Sequence, residues 1–130
     1  MNQTEWSRLE QAAKAASARA YCPYSRFAVG CAVLTADGAI ATGCNVENAS
    51  YGLTSCAERN AIFRAVGDGA TSVVALVVYT PTPSPVTPCG ACRQVIAEFG
   101  RDARVRAICD GAEATEYTIG ELLPAGFVLP

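Results

Sequence analysis

The chain has 130 residues, 51% of them hydrophobic, with 10 basic and 12 acidic side chains and a formal net charge of -2. That length suits one domain over residues 1–130 with a core of its own, and the charge balance offers no basic face for nucleic acid. No stretch approaches the ~20 apolar residues of a membrane helix, and the N-terminus lacks the basic-then-apolar order of a secretory signal. The expected setting is the cytoplasm, with neither a membrane nor a nucleic acid as partner.

Seven cysteines and no histidine sharpen this picture. An odd count excludes complete pairing within one chain, and in a reducing compartment such cysteines are thiols or metal ligands. Without histidine there is no Ser-His-Asp triad, no Cys-His dyad and no His-ligated zinc. Acid–base chemistry near neutral pH must fall to a carboxylate, a thiol, a Tyr, bound water or the single lysine, Lys14.

The elements follow from periodicity. Thr4 to Tyr21 reads as a helix with Thr4 as N-cap and an apolar stripe of Trp6, Leu9, Ala13 and Ala16. Cys22-Pro23-Tyr24-Ser25 ends it. Phe27 to Thr35 reads as a strand buried on both faces, turned by Asp37-Gly38 into a second strand, Ala39 to Val46. A loop over Glu47 to Thr54 precedes a helix from Ser55 to Val66. Ser72 to Tyr79 is a continuous apolar, β-branched run, hence a central strand. Prolines keep Thr80 to Pro88 irregular. Gly90 to Phe99 reads as a helix closed by Gly100, and Arg104 to Cys109 as a strand. Asp110-Gly111 signals another hairpin, into Ala114 to Tyr117, and Thr118 caps a last helical turn through Leu122. This order predicts an α/β fold of three layers, a mixed five-stranded sheet with helices on both faces.

Cys56, Cys89 and Cys92 are the candidate metal ligands. Cys89 and Cys92 form a Cys-x-x-Cys at a helix start, where partial positive charge favours thiolate over thiol. Cys56 also falls at a helix start. Three thiolates suit zinc and leave a fourth tetrahedral position open, the pattern of a catalytic site. Spacing alone also allows a redox pair, or a closed four-thiol site completed by Cys22, Cys31, Cys44 or Cys109. Glu58, two residues after Cys56, can approach the metal without ligating it and shuttle protons. Two residues span roughly 200° of a helix, so convergence of the two side chains requires Cys56 at the cap. Taken alone, Glu58 is equally an ordinary acid at a helix N-terminus. Three thiolates carry excess negative charge; Arg59 and Arg93 both adjoin ligands, and Arg59 is the favoured donor to sulfur.

Cys56-Ala57-Glu58-Arg59 followed by Pro88-Cys89-Gly90-Ala91-Cys92-Arg93-Gln94 resembles the signature of the cytidine deaminase family. Tyr21 to Phe27, Val29-Gly30, Gly43 to Tyr51 and Glu121 to Pro124 resemble its small, homotetrameric, three-cysteine class, so the likeness covers most of residues 21–127. The resemblance implies a cytidine deaminase-like fold and hydrolytic deamination of cytidine and 2′-deoxycytidine in pyrimidine salvage, with one zinc per subunit on Cys56, Cys89 and Cys92. It implies Glu58 as proton shuttle, Phe27 against the pyrimidine ring, Asn45 and Glu47 on the ribose hydroxyls, and the backbone at Ala57 on the base carbonyl. It further implies subunits that share active sites through Tyr51 and Phe127. Without it, Asn45 and Glu47 read as loop-capping residues. Cys31, where relatives commonly carry alanine, reads as a small core substitution. A relative acting on another aminopyrimidine or on RNA is a rival within the family, and a non-catalytic zinc module or thiol redox protein is a rival outside it.

Overall fold

The computed structural model describes all residues from Met1 to Pro130. Helix α1 spans Gln3–Ser17 and opens on Asn2, whose side chain accepts from the Glu5 N–H at 2.9 Å while the Glu5 carboxylate accepts from the Asn2 N–H at 3.1 Å. This reciprocal capping box overrides the expected cap at Thr4, which lies within the first turn. Trp6, Leu9 and Ala13 form the buried stripe.

Strands β1 (Gly30–Thr35) and β2 (Ile40–Cys44) form an antiparallel hairpin across Asp37-Gly38. Gly38 has φ 90°, a left-handed conformation that glycine adopts without strain. The strand starts three residues later than the sequence suggests. Arg26 has φ 57°, and Phe27 to Val29 are held chiefly by the Asn45 side chain, with one backbone bond from the Asn45 N–H to the Val29 carbonyl, as described below. After β2 come a single 3₁₀ turn, Tyr51–Leu53, and helix α2, Ala57–Gly67. Strand β3 (Val73–Tyr79), helix α3 (Gly90–Phe99), strands β4 (Arg104–Ile108) and β5 (Ala114–Thr118), and helix α4 (Ile119–Leu122) complete the chain.

The sheet order is β2-β1-β3-β4-β5, antiparallel except for the β3–β4 pair. The expected mixed five-stranded sheet is therefore present. Side-chain alternation divides the core into two layers. Ala32, Leu34, Ala75, Val77 and Tyr79 face α1 and pack with Trp6, Leu9 and Ala13. Cys31, Val33, Leu76 and Val78 face the other way and pack with Ala57, Ala61, Ile62 and Ile96 of α2 and α3. Two glycines set how close the helices lie. A Cβ at Gly43 would fall 2.4 Å from the backbone nitrogen of Ala61, and one at Gly30 would fall 1.9 Å from the Ala13 carbonyl oxygen.

Asp110-Gly111 is not a two-residue hairpin turn. Residues 109–113 separate β4 from β5, and tertiary bonds hold this longer connection. Tyr79 donates its hydroxyl to the Asp110 carboxylate, and the Asp110 N–H donates to the Thr82 carbonyl at 2.9 Å.

Candidate metal centre and the cavity beside it

Helices α2 and α3 begin side by side on the same face of the sheet. Cys56 is the N-cap of α2 and Cys89 the N-cap of α3, both with extended backbone, and Cys92 lies in the first turn of α3. All three sulfurs lie within 4.8 Å of one another, with 3.9 Å between Cys56 and Cys89 and 3.4 Å between Cys89 and Cys92. A tetrahedral zinc with Zn–S bonds of about 2.3 Å requires sulfurs about 3.8 Å apart, so the donor set fits zinc in both chemistry and spacing. No other cysteine joins the cluster. Cys31 is buried in the core, and Cys109 points its thiol at the carbonyls of Pro83, Gly111 and Glu113. Three ligands without a fourth thiol leave a coordination position open.

The surroundings favour a thiolate at Cys56. The Cys56 thiol is held well below its ordinary value, chiefly by the hydrogen bond from Cys92 and then by Arg59, whose Nη2 donates to Sγ at 3.1 Å. Cys92 is correspondingly held up, by that same bond and by burial. Arg59, and not Arg93, is the arginine on sulfur. It lies three residues after Cys56, so one helical turn brings the two together.

Glu58 lies at the N-terminus of α2 and is 5% exposed. Burial pushes its carboxyl up to about 7, with a smaller contribution from the neighbouring Cys56 charge. Cys56 caps the helix instead of entering it, as the convergence of the two side chains demands. The Cys56 side chain makes no cap hydrogen bond to the first turn, which leaves the Ala57 N–H without an intrahelical acceptor, while the Glu58 N–H turns to its own carboxyl.

A cavity of about 410 Å³ opens from this cluster. Cys56, Ala57, Glu58 and Cys89 line it together with the apolar Phe27, Val29, Val78 and Val86 and the polar Ser25, Asn45, Glu47 and Thr54. Asn45 donates from Nδ2 to the Phe27 carbonyl at 2.7 Å and accepts at Oδ1 from the Val29 N–H at 2.9 Å. Glu47 accepts from the N–H groups of Tyr24 and Ser25 at 2.9 and 3.1 Å and from the Ser25 hydroxyl, which holds its carboxyl below the usual range. Both residues therefore do the loop-capping work and line the cavity as well. Asn60 ties this loop to α2, donating to the Cys44 carbonyl and accepting from the Ser55 hydroxyl, each at 2.7 Å.

Tyr51 is 75% exposed and packs edge-on against Tyr24, with ring centroids 5.9 Å apart, at the outer side of Glu47. Phe127 is 70% exposed and lies away from the cavity, in a groove of α3 and α4. Sequence reading missed Val86 and Thr87 as cavity wall; their position directly before Pro88-Cys89 was the available signal.

Residues 3–109 match the family described as the cytidine and deoxycytidylate deaminase zinc-binding region. The chain is 50% identical over 115 residues to a cytidine deaminase of Sporosarcina psychrophila, covering 88% of this chain and 85% of the relative. It is 42% identical over 129 residues to a cytidine deaminase of Mycobacterium tuberculosis, covering 99% and 94%. The crystal structure of cytidine deaminase from Burkholderia pseudomallei superposes with a TM-score of 0.91 at 45% identity, over 98% of this chain and all of that one.

Proposed function

This chain belongs to the zinc-binding cytidine and deoxycytidylate deaminase family, and on that premise we propose that it hydrolyses cytidine and 2′-deoxycytidine to uridine and 2′-deoxyuridine, releasing ammonia. The observation that carries this reading is the placement of one buried carboxylate, Glu58, beside a three-thiol cluster in a cavity that Asn45 and Glu47 also line.

Cys56, Cys89 and Cys92 hold the metal. When bound, zinc supplies the Lewis acidity that makes water nucleophilic near neutral pH. Glu58 takes the proton from the attacking water and gives it to N3 of the cytosine. It then takes the proton of the new C4 hydroxyl and delivers it to the amino group, so that the C4–N bond breaks, ammonia leaves and the C4 carbonyl of uridine forms, with one carboxyl shuttling every proton. Arg59 offsets part of the thiolate charge. Phe27 lies against the pyrimidine ring, and the backbone N–H of Ala57 meets the base carbonyl. Asn45 keeps one amide hydrogen beyond the Phe27 bond, and Glu47 remains an anionic acceptor; these meet the ribose hydroxyls.

Four chains sharing sites is the assembly we favour. Tyr51 and Phe127 expose most of their rings in the single chain, and burying such aromatics against a neighbour is favourable. Cytoplasmic placement is supported by seven unpaired cysteines, and no helix is long and apolar enough to cross a membrane.

A substrate panel tests the reading. Cytidine and deoxycytidine should lose their ultraviolet absorbance with the purified protein, while free cytosine, which lacks the ribose that Asn45 and Glu47 engage, should not. Equal turnover of cytosine would remove the ribose end of the assignment.

A further inference from the structure

Arg93 follows the metal-ligand pair directly, yet donates to no sulfur. All three guanidinium nitrogens are committed elsewhere. Nε donates to the Pro88 carbonyl at 2.8 Å, Nη2 to the Thr87 hydroxyl at 2.9 Å, and Nη1 to the Leu122 carbonyl at 2.8 Å. The backbone N–H of Arg93 meanwhile closes the first turn of α3 on the Cys89 carbonyl at 2.9 Å.

Thr82 donates its hydroxyl to the Ser84 carbonyl at 2.7 Å, the Cys109 thiol reaches the Pro83 carbonyl and the Pro88 ring is buried, but few N–H groups of the stretch that Arg93 grips are paired. Pro83, Pro85 and Pro88 have no N–H to give, and the N–H groups of Ser84, Val86 and Thr87 find no backbone acceptor. This stretch nonetheless carries Val86 and Thr87 as cavity wall and delivers Cys89 to the cluster. A planar fork with donors in fixed directions can hold three acceptors at once, whereas an ammonium is a point charge on a flexible stem.

We infer that Arg93 is a positioning residue. It fastens the Thr87–Cys89 turn to the end of α4, and so fixes the Cys89 sulfur and the adjoining cavity wall without touching substrate. This rests on the reading of the three-thiol cluster as a zinc site. It makes the α4 end, far from Cys89 in sequence, part of what holds the metal. Groups that orient ligands from behind commonly alter metal affinity or activity by 10–100-fold when changed.

The test compares zinc release from the loaded protein to a chromogenic chelator, at a temperature well below unfolding, for the wild type, Arg93→Lys, Arg93→Ala and Thr87→Val. Arg93→Lys should release zinc about 10–100-fold faster while its melting temperature stays above the assay temperature. Added guanidinium ion should slow release from Arg93→Ala and leave the wild type unchanged. Thr87→Val, which removes one of the three bonds and keeps the arginine, should release faster by a smaller factor, and it carries the test if the Arg93 variants do not fold. Arg101→Lys, an exposed arginine just after α3, should match the wild type. Release from Arg93→Lys and Thr87→Val within twofold of the wild type overturns the inference about Arg93 alone. A wild type that binds no zinc overturns the reading of the cluster beneath it.

Discussion

Asn45 holds the backbone of Phe27 at both ends of one amide, donating to the Phe27 carbonyl at 2.7 Å and accepting from the Val29 N–H at 2.9 Å. Asn45 is 8% exposed, so these bonds are shielded from water. The residue assigned to the ribose thus also places the aromatic wall assigned to the base. Asn45→Ala should raise KM for cytidine and lower stability together, the latter by about 2 kcal/mol for two lost bonds and the groups left unpaired. Denaturant unfolding beside steady-state kinetics checks this. Unchanged stability with altered KM would confine Asn45 to substrate contact.

Glu58 has the opposite character, a buried carboxyl with no ion-pair partner. Glu58→Gln keeps the shape and removes the proton shuttle. The expected result is a fall in kcat of about 10²–10⁴-fold with zinc content unchanged, measured by turnover and metal analysis on one sample. Near-normal kcat would show that another group moves the protons.

Gly43 determines how closely α2 lies on β2. A methyl group there would meet the backbone of Ala61 at 2.4 Å and of Ala57 at 2.6 Å, and α2 carries Cys56 as its cap and Glu58 in its first turn. Gly43→Ala should therefore cost about 3 kcal/mol or more of stability, at the upper end for overpacking, and displace the metal ligand. Thermal melts of the zinc-loaded protein check this; a melting temperature equal to the wild type would mean that the helix tolerates the shift.

Glu116 gives a pH dependence remote from the site. Burial pulls its carboxyl up, but the guanidinium groups of Arg106 and Arg104 outweigh this and hold it below its ordinary value of 4.5. Arg106 also bonds Glu10 at 2.7 Å and stacks on Trp6. A carboxyl depressed in the folded state stabilises above its unfolded pKa, and this contribution is lost as pH falls through the folded value. Glu116→Gln should therefore be less stable than the wild type at pH 7, by about 1 kcal/mol for a partly exposed pair. The gap should close as pH falls from 4.5 through the lower folded value, and melts at several pH values check the sign.

Where a signal was local, the sequence showed it. Trp6, Leu9 and Ala13 marked α1, the apolar run at Ser72 to Tyr79 marked β3, and Cys-x-x-Cys at a helix start marked two ligands. The cap of α1 is Asn2 and not Thr4 because only Asn2 has a glutamate three residues on, a pairing visible in the sequence. Other features depend on partners distant in the chain. The delayed start of β1 reflects Asn45 holding Phe27 and Val29 from 16–18 residues away. The longer turn at Asp110 reflects Tyr79 and Thr82. The choice between Arg59 and Arg93 was half legible, since helical spacing favours Arg59 on Cys56, but the grip of Arg93 on Leu122 needs the folded chain.

Zinc-dependent removal of the amino group of cytidine leaves a directly measurable product. The most direct measurement is ammonia released from cytidine by the purified protein, assayed as isolated, after chelation, and after zinc is returned. Ammonia and uridine should form in equal amounts, cease on chelation and resume with one zinc per chain. Undiminished release from fully metal-free protein would contradict the account, as would an absence of ammonia from the zinc-loaded chain.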